Sequence, residues 1–166
     1  MEASMGITVV ALGGMRIAAI KVIGRQSELS HRVPMAWLEL KRRAPEIAGI
    51  VDPGRFYGVF PEFDQLENGA NGVFTYWVGI QVADSSAIPE GFETLAIPSR
   101  NYASTTVQGG GERIQATYLE LARWLRENGR RTDRDSLGFE LYDETRQKVT
   151  PPYERFDYEI YRPLAD

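Results

Sequence analysis

Apolar residues recur along the chain in two periods, and each change of period marks an element boundary. Ile7 to Leu12, Ile17 to Ile23, Arg55 to Phe63 and Val73 to Val82 are rich in β-branched and aromatic residues and predict strands. Between the second and third of these runs the spacing becomes helical. Val33, Trp37, Leu40 and Ala44 stand at i, i+4, i+7 and i+11, one apolar stripe of a helix from Val33 to about Ala44. Pro34 suits its first turn, and Pro45 and Gly49 help to close it. Asp52-Pro53-Gly54 reads as a turn, Asn68-Gly69-Ala70-Asn71-Gly72 as a loop, and Asp84 to Pro89 as a connector.

The pattern then returns. Val10-Ala11-Leu12, a Gly13-Gly14 break and the run Ile17 to Val22 match Leu95-Ala96-Ile97, a Pro98-Ser99 break and the run Tyr102 to Val107. Trp37-Leu38-Glu39-Leu40 matches Tyr118-Leu119-Glu120-Leu121. Tyr57-Gly58-Val59-Phe60 falls opposite Phe139-Glu140-Leu141-Tyr142, and Phe74-Thr75-Tyr76 matches Phe156-Asp157-Tyr158. Matches in this order at nearly one spacing indicate an internal repeat. Each half reads β-α-β-β, at about 6–83 and 90–165 of one domain spanning 1–166. The second helix runs from about Glu112 to Glu127, with the stripe Ile114, Tyr118, Leu121 and Leu125, and Asn128-Gly129 ends it. A lone unit of this size has a thin core, so the two halves are expected to pack together. The expected fold is α+β: two main helices against antiparallel sheet, a pseudo-twofold axis, and a ligand cleft between the halves.

Composition narrows the chemistry. Hydrophobic residues make up 43% and charged residues 25%, as in globular chains. The absence of Cys excludes thiolate chemistry, and the single His, His31, argues against a zinc site or a Ser-His-Asp triad. A net charge of -4 argues against direct nucleic-acid binding. The short basic pairs Arg42-Arg43 and Arg130-Arg131 read as solvated face. Gly109-Gly110-Gly111 precedes the second helix without the Lys-Ser/Thr of a phosphate loop and reads as a flexible turn. No apolar run approaches the ~20 residues of a membrane span, and the start carries no signal-peptide pattern. The expectation is a cytoplasmic protein with no membrane association and no cofactor.

One stretch resists a purely structural reading. In Gly138 to Asp143, Phe139 and Leu141 point one way, Glu140 and Tyr142 the other. A strand with one face toward water would explain this alternation equally well. The repeat, however, sets aromatics at matching places: Trp37 and Tyr118 on the helices, Phe60 and Tyr142 on one strand, Phe74 and Phe156 on another, with Tyr76 beside Phe74. A carboxylate among such rings would suit a cationic or aromatic small molecule. Each ring face contributes roughly 0.5–2 kcal/mol of cation–π attraction.

The order of Trp37, Tyr57-Gly58-Val59-Phe60, Ile97-Pro98-Ser99-Arg100-Asn101-Tyr102-Ala103, the helix Tyr118 to Trp124, Phe139-Glu140-Leu141-Tyr142 and the ending Tyr158-Glu159-Ile160-Tyr161-Arg162-Pro163-Leu164 resembles the GyrI-like small-molecule-binding family, also known as the bacterial transcription activator effector-binding domain. The resemblance covers nearly the whole chain. It implies a tandem β-α-β-β fold and a multidrug pocket. Glu140 falls at the position of the acidic group that meets cationic drugs, Tyr118 at that of a pocket tyrosine, and Phe156 near another pocket aromatic. Many relatives carry a DNA-binding helix-turn-helix ahead of this domain. Here the pattern starts at about residue 6, so direct transcriptional control is not expected. The resemblance also leaves open a hydrolase of reactive cyclopropane-type compounds, with Glu140 and Tyr118 or Tyr142 acting on water, and a gyrase-inhibitor type of protein partner.

Overall fold

The computed structural model of the protein describes residues 6–69 and 71–166. Ala70, part of the expected loop, and the first five residues lie outside them. Eight strands form one antiparallel sheet: β1 (Thr8–Leu12), β2 (Met15–Gly24), β3 (Arg55–Pro61), β4 (Phe74–Val82), β5 (Glu93–Ile97), β6 (Arg100–Gly109), β7 (Leu137–Asp143) and β8 (Phe156–Pro163). Helix α1 (Gln26–Arg43) follows β2, the short α2 (Glu62–Glu67) follows β3, and α3 (Glu112–Glu127) follows β6. The sheet order is β1-β6-β8-β7-β3-β4-β2-β5. Each β-α-β-β unit, β2-α1-β3-β4 and β6-α3-β7-β8, is preceded by a short strand that pairs across, β1 with β6 and β5 with β2.

This order forces the sheet to curl. Gly13-Gly14 alone joins β1 to β2, and Pro98-Ser99 alone joins β5 to β6, although each joined pair stands near opposite ends of the sheet. A link of two residues reaches only ~3.3–3.6 Å per residue, so the two edges must approach each other. The inner face then closes on itself. Ile17, Val59, Tyr102 and Phe139 are buried there with no helix above them, and Phe139 stacks on Tyr161 at 4.8 Å. The outer face carries the helices. α1 covers Ala18, Val22, Val78 and Ile80. α3 lays Leu121 and Leu125 on Ala103, Val107 and Ile160. Burying each of these leucines contributes roughly 1.5–3 kcal/mol.

α3 occupies the expected residues. α1 does not: it begins at Gln26, well before Val33, and Pro34 sits inside it. The polar run ahead of Val33 is its solvent face. Glu28 accepts a 2.8 Å hydrogen bond from the Arg25 backbone N–H at the start, and Leu29 joins the core. The expected strand through Phe63 is shorter too. Pro61 ends the ladder, and Glu62 opens α2. Among the described residues, no helix is long and apolar enough to cross a membrane.

The pseudo-twofold axis passes through the middle of the sheet. Gly58 of β3 lies directly opposite Glu140 of β7, and these are repeat mates, 82 positions apart. The same position is thus a glycine in one half and a glutamate in the other, side by side at the molecular centre.

Candidate functional site

Alternation along β7 puts Glu140 and Tyr142 on the outer, helix-bearing face, and Phe139 and Leu141 in the inner core. Glu140 is partly buried. Three tyrosine hydroxyls donate to it. Tyr142, two residues along, reaches Oε1 at 2.7 Å. Tyr76 of β4 also reaches Oε1 at 2.7 Å. Tyr118 of α3 reaches Oε2 at 2.5 Å.

The reach of Tyr76 depends on Gly58. β3 lies between β4 and β7, so the ring must pass over it. A methyl group at position 58 would lie 1.7 Å from the Tyr76 hydroxyl oxygen. The glycine half of the repeat therefore makes the gap through which a tyrosine of that half reaches the glutamate of the other.

Burial, with the Glu140 charge adding to it, pushes the Tyr76, Tyr118 and Tyr142 hydroxyls well above the usual phenol range. They remain neutral donors. They supply dipoles to the carboxylate but no compensating charge. Among the described residues no Lys or Arg pairs with Glu140; the nearby Arg162 is bound to Glu62 at 2.7 and 2.5 Å.

Above these rings lies a cleft of about 270 Å³ between the two helices, small for a ligand site. Trp37, Val33 and Pro34 line it from α1, Ile114 from α3, and Tyr76, Tyr142, Phe156 and Tyr158 from the sheet. Val149 and Tyr153, from the connector between β7 and β8, close one side. Trp37 meets Tyr142 edge-on at 5.7 Å, and Tyr158 lies against Tyr142 at 4.7 Å. Glu140 and Tyr118 adjoin this lining from behind.

Of the expected site residues, the structure gathers Glu140, Tyr118, Tyr142, Tyr76, Trp37 and Phe156 into one place. Phe60 and Phe74 are elsewhere in the core: Phe60 packs beside Gly138, and Phe74 lies opposite Gly24 at the end of β4. Both point to the helix side of the sheet, but too far along their strands to reach the cleft. Tyr158 was missed, although it stands 82 residues after Tyr76 and the repeat marks it. Val149 and Tyr153 come from an aperiodic connector that carries no such signal.

A larger hollow of about 810 Å³ lies at the sheet edge, lined by Arg100, Arg130, Arg131 and Asp133 among others. It carries charges of both signs, and Arg100 already donates to Asp133, Ser136 and the Leu164 carbonyl. The aromatic cleft, lined mainly by rings and aliphatic side chains, is the better site for a small apolar molecule. Among the described residues no group of three or more His, Cys, Asp or Glu is placed to hold a metal ion.

Fold and cleft together define a duplicated α+β small-molecule-binding domain. Residues 5–165 match the GyrI-like small molecule binding domain, and the chain belongs to that family. No curated protein matches it. Among solved structures, SAV2435 bound to tetraphenylphosphonium is similar at 17% identity and a TM-score of 0.67, over 97% of this chain and 94% of that one. The EcmrR C-terminal domain is similar at 13% identity and a TM-score of 0.70, over 96% of each chain. A hydrolase encoded by lin2189 from Listeria innocua is similar at 9% identity and a TM-score of 0.57, over 97% of this chain and 92% of that one. At these identities the likeness is one of fold.

Proposed function

We propose that the protein binds cationic, amphipathic aromatic small molecules in the cleft between α1 and α3, with Glu140 as the counter-charge. One observation carries this reading: a partly buried carboxylate is held by three neutral hydroxyls and, among the described residues, by no basic side chain. A charge withdrawn from water without a partner is costly, and a ligand cation supplies that partner. Trp37, Tyr142, Tyr158 and Phe156 offer ring faces and edges to its apolar body. Such a site selects positive charge and apolar bulk and makes few demands on hydrogen-bond pattern, so it accepts many ligands. The family's small-molecule-binding character and the phosphonium bound to a protein of the same fold agree with this.

The test is calorimetric titration of the protein and of Glu140→Gln with tetraphenylphosphonium. The protein should bind, and the variant should lose at least about tenfold in affinity, equivalent to ~1.4 kcal/mol. Equal affinity for both would remove Glu140 from the site.

A further inference from the structure

A second charged group lies close to the cleft and takes no part in the reading above. Arg162 projects from β8 two residues beyond Ile160, the residue opposite Glu140. Its guanidinium lies 5.8 Å from the centre of the Tyr118 ring, and the Tyr118 hydroxyl is bound to Glu140. One ring separates cation from carboxylate. An arginine free to move at this place would neutralise Glu140 and close the site to other cations.

It is not free. Glu62 takes the guanidinium by both oxygens, at 2.7 and 2.5 Å. The Glu62 side chain is 0% exposed and that of Arg162 only 9%. The space for Glu62 is made by Gly138, where any side chain would meet its Oε2 at 2.4 Å. Burial works against the Arg162 charge, yet the Glu62 carboxylate, with smaller help from Tyr118 and Glu140, holds the guanidinium above its ordinary pKa. The two buried charges cancel each other.

We infer that Glu62, which does not line the cleft, sets the cleft's preference for positive charge by holding Arg162 to itself and leaving Glu140 uncompensated. This rests on the cation-binding reading and deepens it: Glu62 is a specificity-determining residue acting through another side chain. Glu62→Gln keeps the shape and removes the charge. Arg162 then has Glu140 as its nearest carboxylate, and the attraction grows as water is excluded.

The experiment compares two probes of similar body, the cation tetraphenylphosphonium and the neutral triphenylphosphine oxide, on the protein, Glu62→Gln, Glu140→Gln and the double variant. Glu62→Gln should lose at least about tenfold in affinity for the cation and keep its affinity for the neutral probe within about twofold. In the double variant Arg162 has no Glu140 carboxylate left to neutralise and acts on the cation only by repulsion, so Glu62→Gln should cost less cation affinity on the Glu140→Gln background than in the unaltered protein. If Glu62→Gln does not fold by circular dichroism, Glu62→Asp, which keeps the charge but shortens the reach, is read in its place and should show a smaller loss of the same selectivity. Equal losses for both probes, or unchanged cation binding, overturn the inference. A protein that binds no cation, or Glu140→Gln binding it fully, overturns the underlying reading instead, so the two failures are distinguishable.

Discussion

Glu62 and Glu140 lie on the same face of one sheet and have been given opposite surroundings. Glu62 is fully buried and answered by a guanidinium; Glu140 is partly buried and answered by three hydroxyls. The first arrangement closes on itself, so that nothing outside is needed to complete it. The second is met by hydroxyl donors and, among the described residues, by no paired cation. The contrast follows the divergence of the repeat. The 82-residue offset that relates Gly58 to Glu140 sets Arg162 against Ile80 and Glu62 against Glu144, which pairs with Lys41. Only the second half carries an arginine at this position, and only the second half carries the central carboxylate.

The widest separation between the two should be in stability. Arg162→Met leaves a fully buried Glu62 without its partner and should cost about 3–5 kcal/mol in urea unfolding. Adding Glu62→Met should recover most of that loss, because a neutral pair of similar volume needs no charge compensation. Glu140→Gln should move stability by about 1 kcal/mol or less in either direction, while its ligand affinity falls as set out above. If Arg162→Met were as mild as Glu140→Gln, the two carboxylates would not differ in kind.

Next in size is Gly58→Ala. The added methyl meets the Tyr76 hydroxyl at 1.7 Å, so the ring must withdraw from Glu140. A loss of about 1–3 kcal/mol is expected from the overpacking, together with weakened phosphonium binding. Gly13→Ala, where the methyl meets nothing within 4 Å, is the matched control and should change neither. Thermal melts with and without the phosphonium separate the two effects.

The role of Gly58 also shows where sequence reading stops. Periodicity placed α3 to the residue and paired the halves at close to the observed spacing. The repeat paired Gly58 with Glu140, yet pattern alone says nothing of a Tyr76 ring crossing the gap, because that depends on strand order across the sheet. The early start of α1 was hidden because its first two turns present mostly polar residues to solvent. Phe60 and Phe74 share the repeat and the sheet face of the true lining residues. What excludes them is distance along the strand, which periodicity does not measure. Arg162 and Glu62 are 100 residues apart in sequence and occupy different elements, so no local pattern joins them.

A smaller effect is expected at the hydroxyls. Among the described residues Tyr118 is the sole donor to Oε2, so Tyr118→Phe should cost about 1 kcal/mol. Tyr142→Phe leaves Tyr76 still bonded to Oε1 and should cost less. The cation affinity of each variant should stay the same or rise, since a carboxylate with fewer donors has more to gain from a ligand. Calorimetry on the two variants would sharpen the comparison with Glu62, where removing the partner can only harm. A large loss of affinity in Tyr118→Phe would mean that the hydroxyls, not the charge, hold the ligand.

The mildest test is alkaline titration. The four rings nearest Glu140, those of Tyr76, Tyr118, Tyr142 and Tyr158, have their hydroxyls pushed up by burial first and by the Glu140 charge second. Tyr161, on the inner face, is pushed up to about 12, chiefly by burial. A group whose folded pKa exceeds its unfolded value stabilises the fold fully below the unfolded value and loses that contribution as pH rises toward the folded one. Stability should therefore hold up to about pH 10, the ordinary phenol value, and fall above it. Ultraviolet phenolate absorbance should lag behind that of the unfolded chain and then rise together with loss of circular dichroism. In Glu140→Gln the burial contribution remains and the charge contribution is gone, so the four rings should ionise at lower pH than in the unaltered protein. Glu62→Gln should shift them the same way by a different route, since Arg162, no longer balanced by Glu62, draws down the phenols beside it, Tyr118 above all.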